Sequence, residues 1–170
     1  MIMSRYFLIF LLFVLSGCTV GYQRAGDNIA WVHINEGTGK VVDNLDVADA
    51  NKVEVLSEEY AKDDVKAFWR QTAILGADAP TFKVLHLKYS YAADKNLVYF
   101  QNQVIPEAEP KSFEPKAYNF GSTKKDVFYR AHKIIGANPL TFTISEFKKS
   151  DVYSCYLSAD FFECKKVYKH

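Results

Sequence analysis

One passage of about thirty residues recurs three times along this chain, and that recurrence limits the fold more than anything else in the sequence. The copies begin at Tyr60 (YAKDDVKAFWRQTAILGADAPTF), Tyr91 (YAADKNLVYFQNQVIPEAEPKSF) and Phe120 (FGSTKKDVFYRAHKIIGANPLTF), with starts 31 and then 29 residues apart. Each has an aromatic start, an aromatic pair eight and nine residues on, an Ile, an Ala, and a closing Ser/Thr-Phe. A weaker copy precedes them, in which Ala48 to Leu56 echoes Ala77 to Leu85 and Trp31 takes the aromatic start. The segment after Phe147 reads as a decayed last unit, as terminal repeats that cap an array do. Hydrophobic content of 49% and charged content of 24% are those of a chain that folds, so the array has a core.

Within a unit the residue types point to strands. The aromatic share of 15% favours pleated, half-buried surfaces over helices. Lys83 to Ala92 reads as a strand, Asp94-Lys95-Asn96 as a turn, and Leu97 to Ile105 as one returning strand. Asp78, Glu109 and Asn138 stand near a proline, which predicts one short helical turn per unit, with Glu the poorest cap. The expected fold is therefore mainly β with short helical turns, built of repeated antiparallel hairpin units. Their bounds fall near 31–56, 60–85, 91–115 and 120–144, with a C-terminal cap at 147–170. A lone hairpin cannot bury its own apolar face, whereas stacked copies can.

Alternation in the returning strand gives each unit two faces. Ala67 and Trp69, Val98 and Phe100, and Val127 and Tyr129 form a wholly apolar face, read as core. Phe68 with Arg70, Tyr99 with Gln101, and Phe128 with Arg130 form the other. An exposed ladder of Phe68, Tyr99 and Phe128 flanked by Arg70 and Arg130 is a candidate partner-binding surface, since Tyr and Arg are favoured at binding hot spots. The competing reading, preferred here, packs the turns through Phe82, Phe113 and Phe142 onto the ladder as a second core layer.

The second copy carries Asp94-Lys95-Asn96, then Val98-Tyr99-Phe100, then Pro110-Lys111-Ser112-Phe113. This resembles the DKNYY family of bacterial envelope proteins over roughly Trp31 to Ile144. The first copy departs from that pattern with Asp63-Asp64-Val65 and Phe68-Trp69, and the third with Thr123-Lys124-Lys125. The resemblance implies a repeat architecture and an envelope location, and no particular activity.

The N-terminus agrees with that location. Tyr6 to Leu15 is an uninterrupted apolar run of 10 residues, half of what spans a bilayer and typical of a signal-peptide core. It ends in Leu15-Ser16-Gly17-Cys18, which resembles the lipobox of bacterial lipoproteins and implies cleavage before Cys18 and lipidation of that residue. Several acyl chains anchor far more firmly than one. Thr19 follows, where an Asp would often mark inner-membrane retention, so the outer membrane is the expected address. The expected organisation is a signal peptide at 1–17, a tether at 18–26 and a single repeat domain at 27–170. Cys155 and Cys164 then remain as an even pair in a compartment that permits disulfides, and a disulfide between them is expected over free thiols or a metal site.

Residues 18–170 carry 20 Lys plus Arg against 20 Asp plus Glu, which gives no broad electrostatic attraction to nucleic acid. No HExxH, CxxC or GxSxG occurs. His33 lies in a strand-like alternation, and Glu36-Gly37-Thr38-Gly39-Lys40 lacks the first Gly and the Ser/Thr of a phosphate loop. Asp43, Asp46 and Asp49 do not follow calcium-loop spacing. Asp63-Asp64 falls at a turn, where exposed acids are ordinary. The expectation is a non-enzymatic protein without metal or cofactor. It is held to the membrane by its lipid and acts through a protein partner, in one form as an immunity protein against a periplasmic toxin. An accessory envelope protein contacting cell-wall glycan is the alternative.

Overall fold

The computed structural model describes residues 20–144. Four small antiparallel sheets follow one another along the chain. The first contains β1 (Gly21–Ala25), β2 (Asn28–Asn35) and β3 (Gly39–Asn44). The second contains β4 (Glu54–Val55), β5 (Tyr60–Lys62), β6 (Ala67–Trp69) and β7 (Thr72–Ala73). The third contains β8 (Lys83–His86), β9 (Tyr91–Ala93), β10 (Val98–Phe100) and β11 (Gln103–Val104). The fourth contains β12 (Glu114–Lys116), β13 (Phe120–Ser122), β14 (Val127–Tyr129) and β15 (His132–Lys133). Each of the last three is a meander in which consecutive strands pair.

The fold is thus β-rich with repeated hairpins, as expected, but each unit is larger than a hairpin. The span Leu97 to Ile105 is two strands rather than one, because the chain reverses at Gln101-Asn102 and Phe100 pairs with both Tyr91 and Gln103. Gln101 adopts a left-handed φ of 57°, as do Arg70 and Arg130 at 54°. Lys83 to Ala92 also divides in two. The strand after each closing turn joins the following sheet, so the sheets are offset from the sequence units. Gly21 to Ala25, assigned above to a tether, pairs along its length with β2.

The register explains the conserved spacing within the copies. Tyr60 pairs with Trp69, Tyr91 with Phe100 and Phe120 with Tyr129, setting the aromatic start against the second ring of the pair. Ala61, Ala92 and Gly121 lie across from Phe68, Tyr99 and Phe128. Between the two strands Asp63, Asp94 and Thr123 each accept two backbone N–H bonds through the side chain and close the turn.

Both faces of the internal sheets are buried. One cluster joins Trp31, Leu45 and Val53 to Ala61 and Phe68 of the second sheet. The next joins Tyr60, Ala67, Ile74 and Phe82 to Ala92 and Tyr99 of the third. The one after joins Tyr91, Val98, Ile105 and Phe113 to Phe128 and Ala131 of the fourth. The second and third sheets therefore each have a leading face, packed on the next unit, and a trailing face, packed on the unit before. The closing turn of each unit lends its apolar residue (Val53, Phe82 or Phe113) to the same layer. Single 3-10 turns form at Ala50–Lys52 and Ala79–Thr81, capped by Asp49 and Asp78. In the later closing turns the Ser112 N–H donates to the Glu109 carbonyl and the Thr141 N–H to the Asn138 carbonyl.

Candidate functional site

The polar residues of the repeat converge on the seams between units. Asp94, only 3% exposed, is the centre of one seam. Its Oδ1 accepts the N–H groups of Asn96 (2.7 Å) and Leu97 (2.8 Å). Its Oδ2 accepts the Tyr99 hydroxyl (2.7 Å) and the Asp78 N–H (2.8 Å) of the preceding unit's closing turn. Burial acts to raise the Asp94 pKa, and these four donors outweigh it, so the carboxyl is held below its ordinary range. Burial and the adjoining carboxylate push the Tyr99 phenol up. Lys95 reaches back to the same turn, with Nζ 2.6 Å from Asp78 Oδ2 and its N–H on Thr81 Oγ1 at 3.1 Å. Asp78 in turn accepts from the Thr81 hydroxyl at 2.8 Å. The DKN segment therefore does two things: it turns its own hairpin and clasps the unit before.

A second device repeats at every seam. The Tyr22 hydroxyl donates to the carbonyls of Glu59 (3.0 Å) and Arg70 (2.8 Å) in the next unit. Tyr60 does so to Ser90 (2.6 Å) and Gln101 (3.2 Å), and Tyr91 to Asn119 (2.5 Å) and Arg130 (3.4 Å). Burial pushes all three phenols well above their ordinary range. The carbonyls belong to equivalent positions, which bracket the central hairpin of the receiving sheet. Arg70, Gln101 and Arg130 are the first residues of its left-handed turn, and their own N–H groups bond back to Glu59, Ser90 and Asn119.

The first seam also carries a charge cluster. Glu59 accepts Arg70 Nη2 at 2.7 Å and the Ser90 hydroxyl at 2.7 Å. Burial raises its pKa, and the Ser90 and Arg70 bonds overcome that and hold it low. The Arg70 guanidinium lies over Trp69, 4.5 Å from the ring centroid, and within 5.7 Å of Trp31.

The ladder proposed from the sequence is corrected as a surface. Phe68, Tyr99 and Phe128 are 0% exposed, each enclosed between two units. Phe82 packs on Tyr99 at 5.7 Å and Phe113 on Phe128 at 5.9 Å, as the preferred reading expected, whereas Phe142 packs on Phe120 at 5.4 Å and Phe68 is covered in the layer of Val53. Arg70 and Arg130 are half-buried and, with Gln101, occupy the same turn in three successive sheets. Cys18, Cys155 and Cys164 lie outside the described residues.

His33 sits in β2 with Nδ1 3.5 Å from Asp43 Oδ2. Glu36 to Thr38 forms the hairpin turn, where Asn35 Oδ1 accepts from Gly37 and Thr38, and Gly39 and Lys40 open β3. Asp46 pairs with Lys66, and Asp49 caps its 3-10 turn. Asp63 caps a hairpin, and Asp64 meets Lys52 at 3.1 Å. No cluster of three metal-ligating side chains occurs among the described residues, and no helix among them is long and apolar enough to cross a membrane.

Sequence reasoning missed Tyr22, which stands outside the repeat window and gains its role as the cross-strand neighbour of Trp31. It also missed Gly121. A Cβ built there would lie 2.2 Å from Phe113 Cζ, so the closing ring of one unit rests directly on the backbone of the next. The signal was present in the sequence, as Ala61, Ala92 and Gly121 follow the aromatic starts of the three copies.

The DKNYY family model matches residues 32–103 and 60–167. No curated protein and no solved structure matches. The matched residues cover most of the chain, which therefore belongs to the DKNYY family.

Proposed function

We propose that this member of the DKNYY family is an envelope lipoprotein, anchored through Cys18 to the outer membrane, that acts by holding a protein partner. In its sharpest form it neutralises a toxin that reaches the periplasm. The lipobox-like Leu15 to Cys18 supports the anchor, and one structural observation supports the binding role. Arg70, Gln101 and Arg130 occupy equivalent half-exposed turns of three consecutive sheets, each fixed in a left-handed conformation and tied through its carbonyl to a tyrosine of the unit before. A row of identically placed side chains on a rigid repeat suits an extended partner, because little conformational freedom is lost on binding.

The test is capture from envelope extracts with the chain from residue 19 onward, beside a Gln101→Ala/Arg130→Ala copy of unchanged circular dichroism. One stoichiometric protein, retained by the first and at least tenfold depleted with the second, supports the reading. Retention by purified cell-wall glycan alone would move the chain to an accessory role in the wall. Equal capture by both copies would remove the turn row as the contact surface.

A further inference from the structure

The two faces of the first sheet differ in what they meet. Ile29 and Trp31 of β2 face the second sheet, where they cluster with Ala61 and Phe68. Ala30, Val32 and Ile34 alternate onto the opposite face, which they share with Val42, the cross-strand partner of Val32, and Lys40, the partner of Ile34. Ala30 and Val32 are buried, whereas Ile34 is 50% exposed and Val42 54%. The exposed apolar surface of this face is thus confined to one end of the sheet. Gly21, where β1 begins, pairs with Val32 at that same end, and Val20 just before it is 58% exposed. Three large apolar side chains are therefore left to solvent where the chain enters the fold, which is more than the scatter of single residues on an ordinary surface.

The covalent chain limits what this end can meet. Cys18 stands three residues before Gly21, and three residues span at most about 11 Å. Val42 lies two strands across from Gly21, about 10 Å, and Ile34 lies two residues along β2 from the partner of Gly21, about 7 Å. Building on the reading that Cys18 is lipidated, we propose that this end of the first sheet is a membrane-contact surface. Its occupant is the bilayer that holds the anchor. Headgroups add only about 5–8 Å to each side of the hydrocarbon, so a tether of this length keeps the Gly21 end at their level. Val20, Ile34 and Val42 bury their exposed area in the headgroup and acyl boundary, as the apolar face of an interfacial segment does. Lys40, exposed beside Ile34, lays its stem along that apolar surface and keeps its ammonium among the lipid phosphates. The second sheet packs on the other face, so the array extends away from the bilayer and sets the turns of Arg70, Gln101 and Arg130 at successive distances from it.

The experiment places the photo-crosslinker p-benzoylphenylalanine singly at Ile34, at Val42 or, as a remote control, at Leu140, which is 90% exposed beyond the fourth sheet. The full-length protein, purified from membranes of the producing cells, is reconstituted in vesicles of phosphatidylethanolamine and phosphatidylglycerol and irradiated. Mass spectrometry then reads lipid adducts at each position and the mass of the Cys18 peptide in the same samples. The expected result is an acylated Cys18, with lipid adducts at 34 and 42 at least tenfold above those at 140. With Cys18 acylated, adducts at 34 and 42 no more frequent than at 140 would overturn the contact surface and leave the anchor standing. Crosslinks from 34 and 42 to a second copy of the chain in place of lipid would overturn it too, and would give this face to self-association. An unmodified Cys18 would overturn the anchor, and the contact surface with it.

Discussion

Asp94 shows how a single residue can serve two levels of structure. Its turn role was legible, because Asp before Lys-Asn is turn chemistry wherever it stands. Its bond to Tyr99 was not, because that contact depends on a cross-strand register that residue types alone do not give. The first and third copies lack it together, with Phe68 and Phe128 in place of the tyrosine. The folded pKa of Asp94 is lowered, so its contribution to stability is present above its unfolded value near 4 and is lost as pH falls through the folded value. Tyr99→Phe removes one of four donors and is expected to lower stability by about 1–2 kcal/mol at pH 7. It also moves the acid-unfolding midpoint upward, because Asp94 then sits nearer its ordinary range. Urea melts at pH 7 and an acid titration followed by circular dichroism check both. An unchanged acid midpoint would mean that Asp94 does not control it. Gly121 makes the complementary case from packing. Gly121→Ala presses a methyl into the Phe113 ring and is expected to destabilise by about 1–3 kcal/mol, measured by the same melts.

At the scale of elements, the strands were found where aromatics and β-branched residues alternate, and the misreading came at the second turn of each unit. Nothing local marks Arg70, Gln101 or Arg130 as a turn residue, since Gly or Asn is the usual occupant of a left-handed position. Tertiary bonds decide it: the N–H of Gln101 is taken by Ser90 and its carbonyl by Tyr60. The sequence therefore carries strain there that the seam offsets. Gln101→Gly keeps both backbone bonds and relieves the left-handed conformation. It is expected to raise stability by about 0.5–1 kcal/mol, the residual after the added entropy of glycine in the unfolded chain. Gln101→Val leaves the bonds in place and deepens the strain, so it should lower stability. Urea midpoints of the two variants on opposite sides of the parent would establish the turn as strained; coincident midpoints would not.

For the whole molecule, the period alone made a stacked array legible, but it left open which face of each sheet meets which neighbour. Three-residue strands between two neighbours have no outer face, so an aromatic followed by a cation need not be a binding surface. The ladder became core for that reason. What remains is a chain of seams, each made by nearest neighbours, and stability in such an array is close to a sum of unit and seam terms. Tyr60→Phe loosens the seam between the second and third sheets, and Tyr91→Phe the one between the third and fourth. Each is expected to lower stability by about 1 kcal/mol, and the double variant by the sum within about 0.5 kcal/mol, because the two hydroxyls share no partner. Tyr60→Phe with Tyr99→Phe should depart from additivity, since both rings pack on Phe82 in one cluster. Hydrogen exchange separates the alternatives further. In Tyr91→Phe, amides of β13 and β14 should lose protection before those of β2 and β5. Uniform loss along the chain would mean that the four sheets open as one cooperative body, and the seam description would then fail.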